Sequence, residues 1–299
     1  MPARLTAYPP DGAALVRLLD ETTSYRIGRA SECELRIEHG SVSRFHAEIA
    51  SRGGTWHLHD TGSKNGLRVH GHLVLEADLE ASTWFSIGDV HCAFESLDQS
   101  AAAAHRASSA SRRDISRALS ARLQPGLGTH GLLPQTLDVV LQLSGLERGF
   151  VLYADAGDPL RVRASRGLRE SDLAGSRFSG SATAVDCALA SGASVVCCDI
   201  AVAPWLGLQP SVRLGGIRAL FCVPLEMGGG ARGVIYADSR RPGAPITDLD
   251  LELVQNIALH AASAIEAARM SERIAGLADA LGHAEAAGAL WEDLRGATA

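Results

Sequence analysis

Residues 60–66 read Asp60-Thr61-Gly62-Ser63-Lys64-Asn65-Gly66, a polar and glycine-rich segment that follows a strand-length run of mixed apolar and polar residues. Two shorter segments precede it, Gly28-Arg29 and Ser43-Arg44-Phe45-His46. Around all three, strand-length runs alternate with clusters of Gly, Asp and Ser, and no helix-length apolar period appears. Closely spaced strands without crossover helices pack sheet on sheet. Residues 1–97 are therefore predicted to form an all-β sandwich.

The three segments place binding groups in loops or at strand ends, where the loops of a sandwich converge. Arg29 supplies a guanidinium, Ser43 a hydroxyl, Lys64 an ammonium and Asn65 a carboxamide. A guanidinium fork, a hydroxyl and an ammonium around one point suit a phosphate dianion. No general base stands beside a nucleophile, so the set indicates binding rather than turnover. Each residue alone is more often a surface charge or a turn former, and the prediction rests on the joint pattern.

In order and spacing these segments resemble the signature of the forkhead-associated (FHA) domain family, over about residues 13–97. Gly-Arg is followed by Ser-x-x-His, then by Gly-Ser-x-Asn-Gly and Val-x-Gly. The resemblance implies an eleven-stranded β-sandwich that binds phosphothreonine peptides. It implies phosphate contacts for Arg29, Ser43 and Lys64, and a contact between Asn65 and the ligand backbone. The residues expected to shape the site are Gly28, Arg44, His46, Ser63 and Gly66.

Two histidine features do not belong to that signature. His70 stands in the loop after Gly66, where the family usually has Asn, a departure that leaves the phosphate-binding set untouched. His57 and His59 share one strand face at i and i+2 and could bind a metal ion. No third or fourth ligand is evident, so half-exposed strand residues are the favoured interpretation, and no metal is expected.

The composition limits the classes of function. The 299 residues exceed the size of most single cores, which rarely grow past roughly 250 residues, so two domains are expected. The basic residues, 27 Arg and the single Lys64, number 28 against 34 acidic ones, which gives a net charge of −6. That balance argues against a protein that coats nucleic acid or an anionic membrane.

Cysteine usage and hydropathy favour a cytoplasmic protein with packed cores. Six scattered cysteines without a Cys-x-x-Cys pair predict neither a disulfide framework nor structural zinc. The hydrophobic fraction of 46% excludes global disorder. No apolar run reaches the roughly 18 residues that a membrane span needs, and the N-terminus lacks the apolar run of a signal peptide.

The composition changes after Leu97. Residues 98–130 are rich in Ala, Ser and Arg and carry five Arg against two acidic residues, as is typical of a linker. The later part, 112–123, is predicted to be helical, and the earlier part to be conformationally loose. Such a linker would let the flanking domains move relative to each other.

From residue 131 the pattern alternates between helix and strand, which predicts an α+β domain with an antiparallel sheet covered by helices. Helical patterns cover 132–141 and 182–191, and the predicted strands are 149–154, 160–164, 194–198, 219–226 and 233–238. Residues 131–268 resemble the GAF domain family, through runs such as Gly149-Phe150-Val151-Leu152-Tyr153 and Gly233-Val234-Ile235-Tyr236-Ala237-Asp238-Ser239. The resemblance implies a six-stranded sheet with a ligand pocket on one face, in a small-molecule sensor or a dimerisation module.

No residue of this second region selects a ligand. Cys187 is followed by Ala188, whereas a bilin-binding GAF domain would offer a Cys followed by His, and the polar signature of cyclic-nucleotide binders is not recognisable. Cys197, Cys198 and Cys222 could sense oxidation, but adjacent strand cysteines point to opposite faces and plain packing is favoured. No cofactor is expected, and an unknown small-molecule ligand stays open.

A long helix is predicted to begin at Thr247-Asp248, with Thr247 as its cap. Apolar positions over 254–268 step by four and three, as on a helix that packs on its own sheet. The series Met270, Ile274, Leu277, Leu281 and Ala284 repeats those steps beyond the domain. Residues 269–299 form a C-terminal helix and tail, in which 270–285 are predicted to pair with a partner helix, as in a homodimer, and the helix is predicted to end near Gly288.

Together these features predict a non-catalytic bacterial signalling protein that binds phosphothreonine-bearing segments from a Ser/Thr kinase pathway, with a GAF domain for sensing or dimerisation. The domain order also resembles the amino-terminal half of bacterial enhancer-binding transcription activators. No phosphate-binding Gly-x-x-x-x-Gly-Lys-[Ser/Thr] loop occurs, so ATP hydrolysis by that route is not expected, nor is direct nucleic-acid binding. The alternatives are a transcription-regulatory protein, or a fragment of an activator, that acts through a partner ATPase, and a redox- or ligand-switched sensor.

Overall fold

The computed structural model of the chain describes residues 1–123, 128–168, 181–198, 216–228, 232–241 and 245–296, with single positions at 206, 212 and 230. Side chains are described as far as residue 279, apart from Thr129. None of the helices described in these ranges is long and apolar enough to span a membrane.

The first region is a β-sandwich of eleven strands, as predicted. One sheet has six strands in the order β2-β1-β11-β10-β7-β8 and the other has five in the order β4-β3-β5-β6-β9. Neighbouring strands are antiparallel except β3 and β4. The strands are β1 Ala3–Tyr8, β2 Leu15–Leu19, β3 Tyr25–Gly28, β4 Leu35–Arg36, β5 Ala47–Arg52, β6 Thr55–Asp60, β7 Leu67–Val69, β8 His72–Val74, β9 Glu76–Leu79, β10 Ser82–Ile87 and β11 Val90–Ser96.

The sandwich core follows from alternation along the strands. In β6, Trp56 and Leu58 are buried between the exposed Thr55 and His59, and in β10 Phe85 and Ile87 are buried. Apolar side chains from both sheets meet in one buried cluster. Each such side chain contributes about 1.5–3 kcal/mol when it leaves water, which fixes the register of the strands.

The strand ends that carry the three polar segments meet at one end of the sandwich. The antiparallel registers place Ile27 opposite Ala47, Ala47 opposite Asp60, and Ile87 opposite Leu67. The loops after β3, before β5, after β6 and after β10 are therefore neighbours in space.

The segment after the sandwich is helical from its start, so the predicted loose beginning of the linker is wrong. Helix α1 spans Gln99–Ser120, and the side chain of Asp98 caps it by accepting a hydrogen bond from the N–H of Ala101. An Asp cap followed by a run of alanines favours helix, because Ala has the highest helix propensity. Only Ala102, Ser116 and Leu119 of this helix are buried.

The second region is an α+β fold, and the structure describes five strands of its antiparallel sheet, where the resemblance implies six. The described strands follow the order β13-β12-β16-β15-β14. Helices α2 and α4 cover one face, and α3 lies on the other. The elements are α2 Gly128–Ser144, β12 Arg148–Ala154, β13 Arg161–Arg166, α3 Ala182–Ser191, β14 Val195–Cys197, β15 Ala219–Leu225, β16 Arg232–Ser239 and α4 Asp248–Gly296.

Helix α4 begins where the sequence predicts and ends later. The hydroxyl of Thr247 accepts a hydrogen bond from the N–H of Asp250 (3.2 Å), and the carboxylate of Asp250 accepts one from the N–H of Thr247 (2.7 Å), which forms a reciprocal cap. The predicted end near Gly288 is wrong, since the helix runs to Gly296. A single interior glycine costs a helix only about 1 kcal/mol, and the flanking residues are good helix formers.

The two regions touch at a contact that we call the joint, formed by the ion pairs Arg17–Asp248, Arg112–Asp250 and Arg113–Glu252. Backbone bonds support it, since the N–H of Ala14 donates to the carbonyl of Ile246 (2.8 Å). Helix α1 thus bonds to the start of α4 instead of leaving the flanking regions free to move.

Candidate functional site

The four residues predicted to bind a ligand line one open groove at the loop end of the sandwich. The groove holds about 470 Å³. The structure brings Arg29, Ser43, Lys64 and Asn65 together there. Its other lining residues are Gly40, Ser41, Val42, Arg44, Phe45 and Thr61.

The backbone beside Gly28 explains why a glycine precedes Arg29. The N–H of Arg29 donates to the carbonyl of Ser43 and the N–H of Ala30 to that of Arg44, both at 3.0 Å. A Cβ at position 28 would overlap the Arg44 carbonyl oxygen. Only glycine allows the two loops to approach so closely, and this approach sets Arg29 and Ser43 side by side.

His46 connects two of the loops that form the groove. Its side chain is fully buried, and its Nδ1 accepts a hydrogen bond from the N–H of Ser43 at 3.1 Å. Its Nε2 lies 3.1 Å from the carbonyl oxygen of Gly66, which can only accept, so Nε2 carries the proton. One neutral ring therefore ties the Ser43 loop to the loop that ends at Gly66.

Asp60 organises the loop 60–66, a role that the sequence reasoning missed. Its carboxylate accepts hydrogen bonds from the N–H groups of Gly62 and Ser63 and from the Ser63 hydroxyl, at 2.7–2.8 Å. Burial pushes the pKa of Asp60 upward, but these hydrogen bonds outweigh it and hold the pKa below its ordinary value. An Asp two residues before a Gly is the signature of an Asx turn, and this signal could have identified it.

The hydroxyl of Ser43 is oriented by the loop that carries Lys64. The N–H of Lys64 donates to the Ser43 oxygen at 3.0 Å, so the hydroxyl proton is free to point at a ligand. The amide nitrogen of Asn65 donates to the carbonyl of Ser41 at 2.8 Å. Because Asn65 also lines the groove, its side-chain oxygen is available there as an acceptor for a ligand backbone N–H.

Ser41 is a second residue that sequence reasoning missed. Its hydroxyl oxygen accepts a hydrogen bond from the N–H of Asp89 at 2.8 Å and lies 2.7 Å from Nδ1 of His39. It therefore links the groove to the loop after β10. No local sequence signal marks it, because its partner Asp89 lies 48 residues away.

The groove is positively charged although the sandwich around it is acidic. Arg29, Arg44 and Lys64 are all exposed. No described carboxylate lies among the lining residues, and none forms an ion pair with these three side chains in the part of the chain that the structure describes. Residues 1–97 as a whole carry 13 acidic against 9 basic residues. The cations are thus concentrated where the loops meet.

Comparison with protein families agrees with this architecture. The FHA domain model matches residues 25–95, and the GAF domain model matches residues 126–266. The chain contains an FHA domain followed by a GAF domain. No curated protein sequence matches it.

Solved FHA structures align with about a third of the chain. The FHA-1 domain of Mycobacterium tuberculosis Rv1747 is 26% identical, with a TM-score of 0.28, over 32% of this chain and 97% of that one. The FHA domain of Chlamydia trachomatis CT664 is 22% identical, with a TM-score of 0.31, over 33% of this chain and 100% of that one. Mycobacterium tuberculosis EmbR, in complex with a low-affinity phosphopeptide, is 26% identical, with a TM-score of 0.26, over 30% of this chain and 24% of that one.

The histidines outside the FHA signature have structural roles. His70 adopts a φ of 49°, a left-handed conformation that Asn also tolerates well, and its loop closes normally between β7 and β8. Nδ1 of His57 lies 2.5 Å from the carboxylate of Asp78 on the neighbouring strand. Among the described residues no group of His, Cys, Asp and Glu is arranged to hold a metal ion.

The described part of the GAF domain shows packing rather than a defined ligand site. The rings of Phe150 and Tyr236 stack at 4.7 Å between centroids, and Cys222 is buried beside them. Burial raises the pKa of the Cys222 thiol. Cys197 packs on this face and Cys198 on the opposite one, where its thiol donates to the carbonyl of Ile246. Residues 169–180 and, apart from Leu206, 199–211 lie outside the described residues, and the ligand pocket that the resemblance implies stays a prediction.

Proposed function

We propose that this protein is a signalling module that binds phosphothreonine-containing protein segments in the groove of its FHA domain. The observation that carries the proposal is the convergence of Arg29, Lys64 and the Ser43 hydroxyl on an open groove without a described carboxylate. Charge-assisted hydrogen bonds from a guanidinium and an ammonium are the strongest that a phosphate receives in water.

The preference for phosphothreonine, and for a partner from a Ser/Thr kinase pathway, rests on the FHA match. The Asn65 carbonyl oxygen supports a peptide ligand over free phosphate, because it offers an acceptor for a main-chain N–H beside the phosphate. The groove is open to solvent, as the binding of a protein segment requires.

We also propose that the groove is non-catalytic. The Ser43 hydroxyl is the nucleophile nearest the cations, but its oxygen already accepts the N–H of Lys64. Nδ1 of His46 accepts the backbone N–H of Ser43, and its Nε2 proton is donated to Gly66. Neither nitrogen of this ring is placed to take the hydroxyl proton, which is what nucleophilic catalysis requires.

The test is a titration with phosphothreonine, phosphoserine and unphosphorylated peptide libraries. The full-length protein should retain phosphothreonine peptides and release their unphosphorylated counterparts. Arg29→Ala should lose this selectivity, whereas Arg52→Ala, at the far end of β5 from the groove, should keep it. Equal retention of phosphorylated and unphosphorylated libraries by the unmodified protein would refute the proposal.

A second function, self-association, is favoured by one observation on α4. Met270, Ile274 and Leu277 are 59–65% exposed and follow each other at steps of four and three, beyond Ala268, the last residue of α4 in the core cluster. Such spacing forms one apolar stripe on a helix. We propose that this stripe pairs two copies of the chain.

Light scattering of the full-length protein tests the pairing. A dimer mass should fall to a monomer mass in the double variant Ile274→Glu, Leu277→Glu. The matched control is Glu272→Gln with Arg273→Gln, which changes exposed residues of the same helix without touching the stripe. A monomer mass for the unmodified protein rejects the pairing.

A further inference from the structure

Ser109 lies on helix α1 between basic residues on both sides. Residues three and four positions apart on a helix share one face. For Ser109, these positions hold His105 and Arg106 before it and Arg112 and Arg113 after it. No other serine of α1 has a basic residue at all four positions. The helix therefore surrounds this one hydroxyl with side chains that attract an anion.

Ser109 also lines a cleft of about 580 Å³ between α1, β2 and the start of α4. The residue is half-exposed. Its hydroxyl has no hydrogen bond within the part of the chain that the structure describes, unlike that of Ser120, which donates to the carbonyl of Ser116 at 2.9 Å. The charged residues that line the cleft are four arginines and two acids, Arg17, Arg106, Arg112, Arg113, Asp248 and Glu252. Even when Asp250, the partner of Arg112, is counted, the arginines outnumber the carboxylates.

Two of these arginines hold the joint. Arg112 pairs with Asp250, and Arg113 donates to both carboxylate oxygens of Glu252, at 3.4 and 3.2 Å. A phosphate on Ser109 would bring a charge of about −1.5 to −2 and three acceptor oxygens within one helical turn of both guanidiniums. It would compete with each singly charged carboxylate for its arginine and would repel Glu252 across the cleft. Both effects separate α1 from α4.

Helix α1 presents Ser109 to a modifying enzyme at little cost. Its buried residues are only Ala102, Ser116 and Leu119. Segments with few buried contacts open locally for a small free energy, so the chain around Ser109 is able to leave the helix and enter the active site of a kinase. The basic residues on both sides attract a kinase with an acidic substrate cleft.

We propose that Ser109 is a phosphorylation site for a Ser/Thr protein kinase that selects basic segments, and that its phosphorylation opens the joint. The Ser109 oxygen forms a bond to the γ-phosphorus of ATP, the bond from that phosphorus to the β,γ-bridging oxygen breaks, ADP leaves, and the hydroxyl proton passes to the kinase. The phosphoserine then pairs with Arg112 and Arg113, which release Asp250 and Glu252. This inference concerns the joint and does not rest on the proposed phosphopeptide groove.

The first experiment tests whether a kinase uses Ser109. The full-length chain is incubated with Mg-ATP and a Ser/Thr protein kinase that selects arginine-containing segments, and mass spectrometry locates the phosphates. Ser109 should carry most of the phosphate on α1. Ser109→Ala should lose that phosphate, and Ser111→Ala should keep it. Phosphate mainly at another serine of α1, or none on this helix, would reject Ser109 as the modification site.

The second experiment tests the effect on the joint. Phosphoserine is incorporated during translation at position 109 or at position 111 of the full-length chain. Ser111 is an exposed residue of the same helix, and the residues three and four positions from it are not basic, which makes it a matched control. Hydrogen exchange then follows the N–H groups of Ala14 and Asp248, which bond between the two regions.

Phosphoserine at position 109 should speed this exchange about tenfold, because the population of the open joint sets the rate. Phosphoserine at position 111 should change it by less than about twofold, because it faces neither arginine of the joint. In the double variant Arg112→Gln, Arg113→Gln the joint is already weakened, and phosphate at 109 should add less than about twofold. Thermal melts confirm that each protein is folded.

Two outcomes would overturn the proposed opening. Equal exchange in the two phosphoproteins would show that the phosphate perturbs the helix and does not act through the arginines of the joint. Slower exchange with phosphate at 109 would show that the phosphate closes the cleft. Binding of phosphothreonine peptides, measured on the same samples, decides only the proposed function.

Discussion

The groove of the FHA domain and the joint between the two regions both contain three cationic side chains, and they treat them in opposite ways. At the joint, every arginine is matched with a carboxylate, in the pairs Arg17–Asp248, Arg112–Asp250 and Arg113–Glu252. In the groove, Arg29, Arg44 and Lys64 face an open surface without a described acidic partner.

The difference shows how charge separates structure from binding in this protein. The paired charges of the joint connect neighbouring elements and are not available to an outside ligand. The unpaired cations of the groove repel each other, and they stay close only because the backbone that carries them is held in place. The groove backbones are fixed by neutral His46 and by Asp60, which carry no net positive charge into the site. Each of the following predictions changes one residue, either in the groove or at the joint.

The largest effect is expected for Asp60→Ala, which removes the acceptor for three donors of the loop 60–66. The donors are only partly buried, so each lost hydrogen bond falls near the lower end of the range of about 1–3 kcal/mol, and a total loss of about 3 kcal/mol is expected. Urea unfolding followed by tryptophan fluorescence measures it, with Trp56 buried in the same sandwich. Asp60→Asn, which keeps one acceptor oxygen, should lose less. Equal stability of all three proteins contradicts the role of Asp60.

The same residue predicts a pH dependence. Because its pKa is lowered in the folded state, Asp60 contributes stability that is complete above its unfolded pKa of about 3.9 and is lost as the pH falls through its folded pKa. The stability difference between the unmodified chain and Asp60→Asn should therefore be constant near neutral pH and shrink below pH of about 4. A difference that grows on acidification would show that the carboxylate is not stabilised by its hydrogen bonds.

Arg29→Ala removes one of the unpaired cations of the groove. Loss of one charge-assisted hydrogen-bonding group should cost about 2 kcal/mol of binding, near 30-fold in affinity for a phosphothreonine peptide. Stability should stay within about 0.5 kcal/mol, because Arg29 is exposed and unpaired among the described residues. Calorimetric titration and a thermal melt measure the two quantities. A variant that melts early and binds normally would assign Arg29 to structure.

Arg112→Ala removes one of the paired arginines of the joint. Asp250, whose side chain is only 11% exposed, loses its ion-pair partner and keeps only its bonds to Thr247, and α1 loses its bond to the carbonyl of Leu143. Stability should therefore fall by about 1–2 kcal/mol. Phosphopeptide affinity should not change. Limited proteolysis should also cut α1 faster, since its buried contacts are few. Unchanged proteolysis and stability would show that the joint does not hold α1.

The smallest effect concerns Lys64, the single lysine of the chain. Lys64→Ala should weaken phosphopeptide binding by about 1 kcal/mol, near fivefold, whereas Lys64→Arg should bind within about twofold of the unmodified chain. The loop should keep its shape in both variants, because the contact to Ser43 is made by the backbone N–H. If both variants bind alike, Lys64 is only a surface charge.

The sequence was sufficient to predict the sandwich, the α+β region and four of the residues that line the groove. Period-two alternation and turn residues are local signals, and Arg29, Ser43, Lys64 and Asn65 were identified by a motif that spans the loops. Their roles in binding stay predictions. Ser41 was missed because its partner Asp89 is 48 residues away and is brought to it only by the fold. The role of Asp60 was missed although its partners Gly62 and Ser63 are local, and the Asx-turn signal could have identified it.

The linker shows the same limit of prediction from sequence, because the contacts of its helix are also made to distant residues. Helix α1 buries only three residues, so it has almost no apolar stripe for a periodicity argument to find. Its contacts are ion pairs to residues of α4 that lie more than a hundred positions away. The continuation of α4 past Gly288 was missed because one glycine was given more weight than the alanine-rich run around it.

One measurement tests the central contrast most directly: calorimetric titration of a phosphothreonine peptide, selected from the library, into the unmodified chain, Arg29→Ala and Arg112→Ala, with a thermal melt of each. The account predicts that Arg29→Ala loses about 30-fold in affinity without a change in stability. Arg112→Ala should lose stability without a change in affinity. Comparable affinity losses in the two variants, or none in Arg29→Ala, would contradict the claim that the unpaired cations of the groove are the ones that bind phosphate.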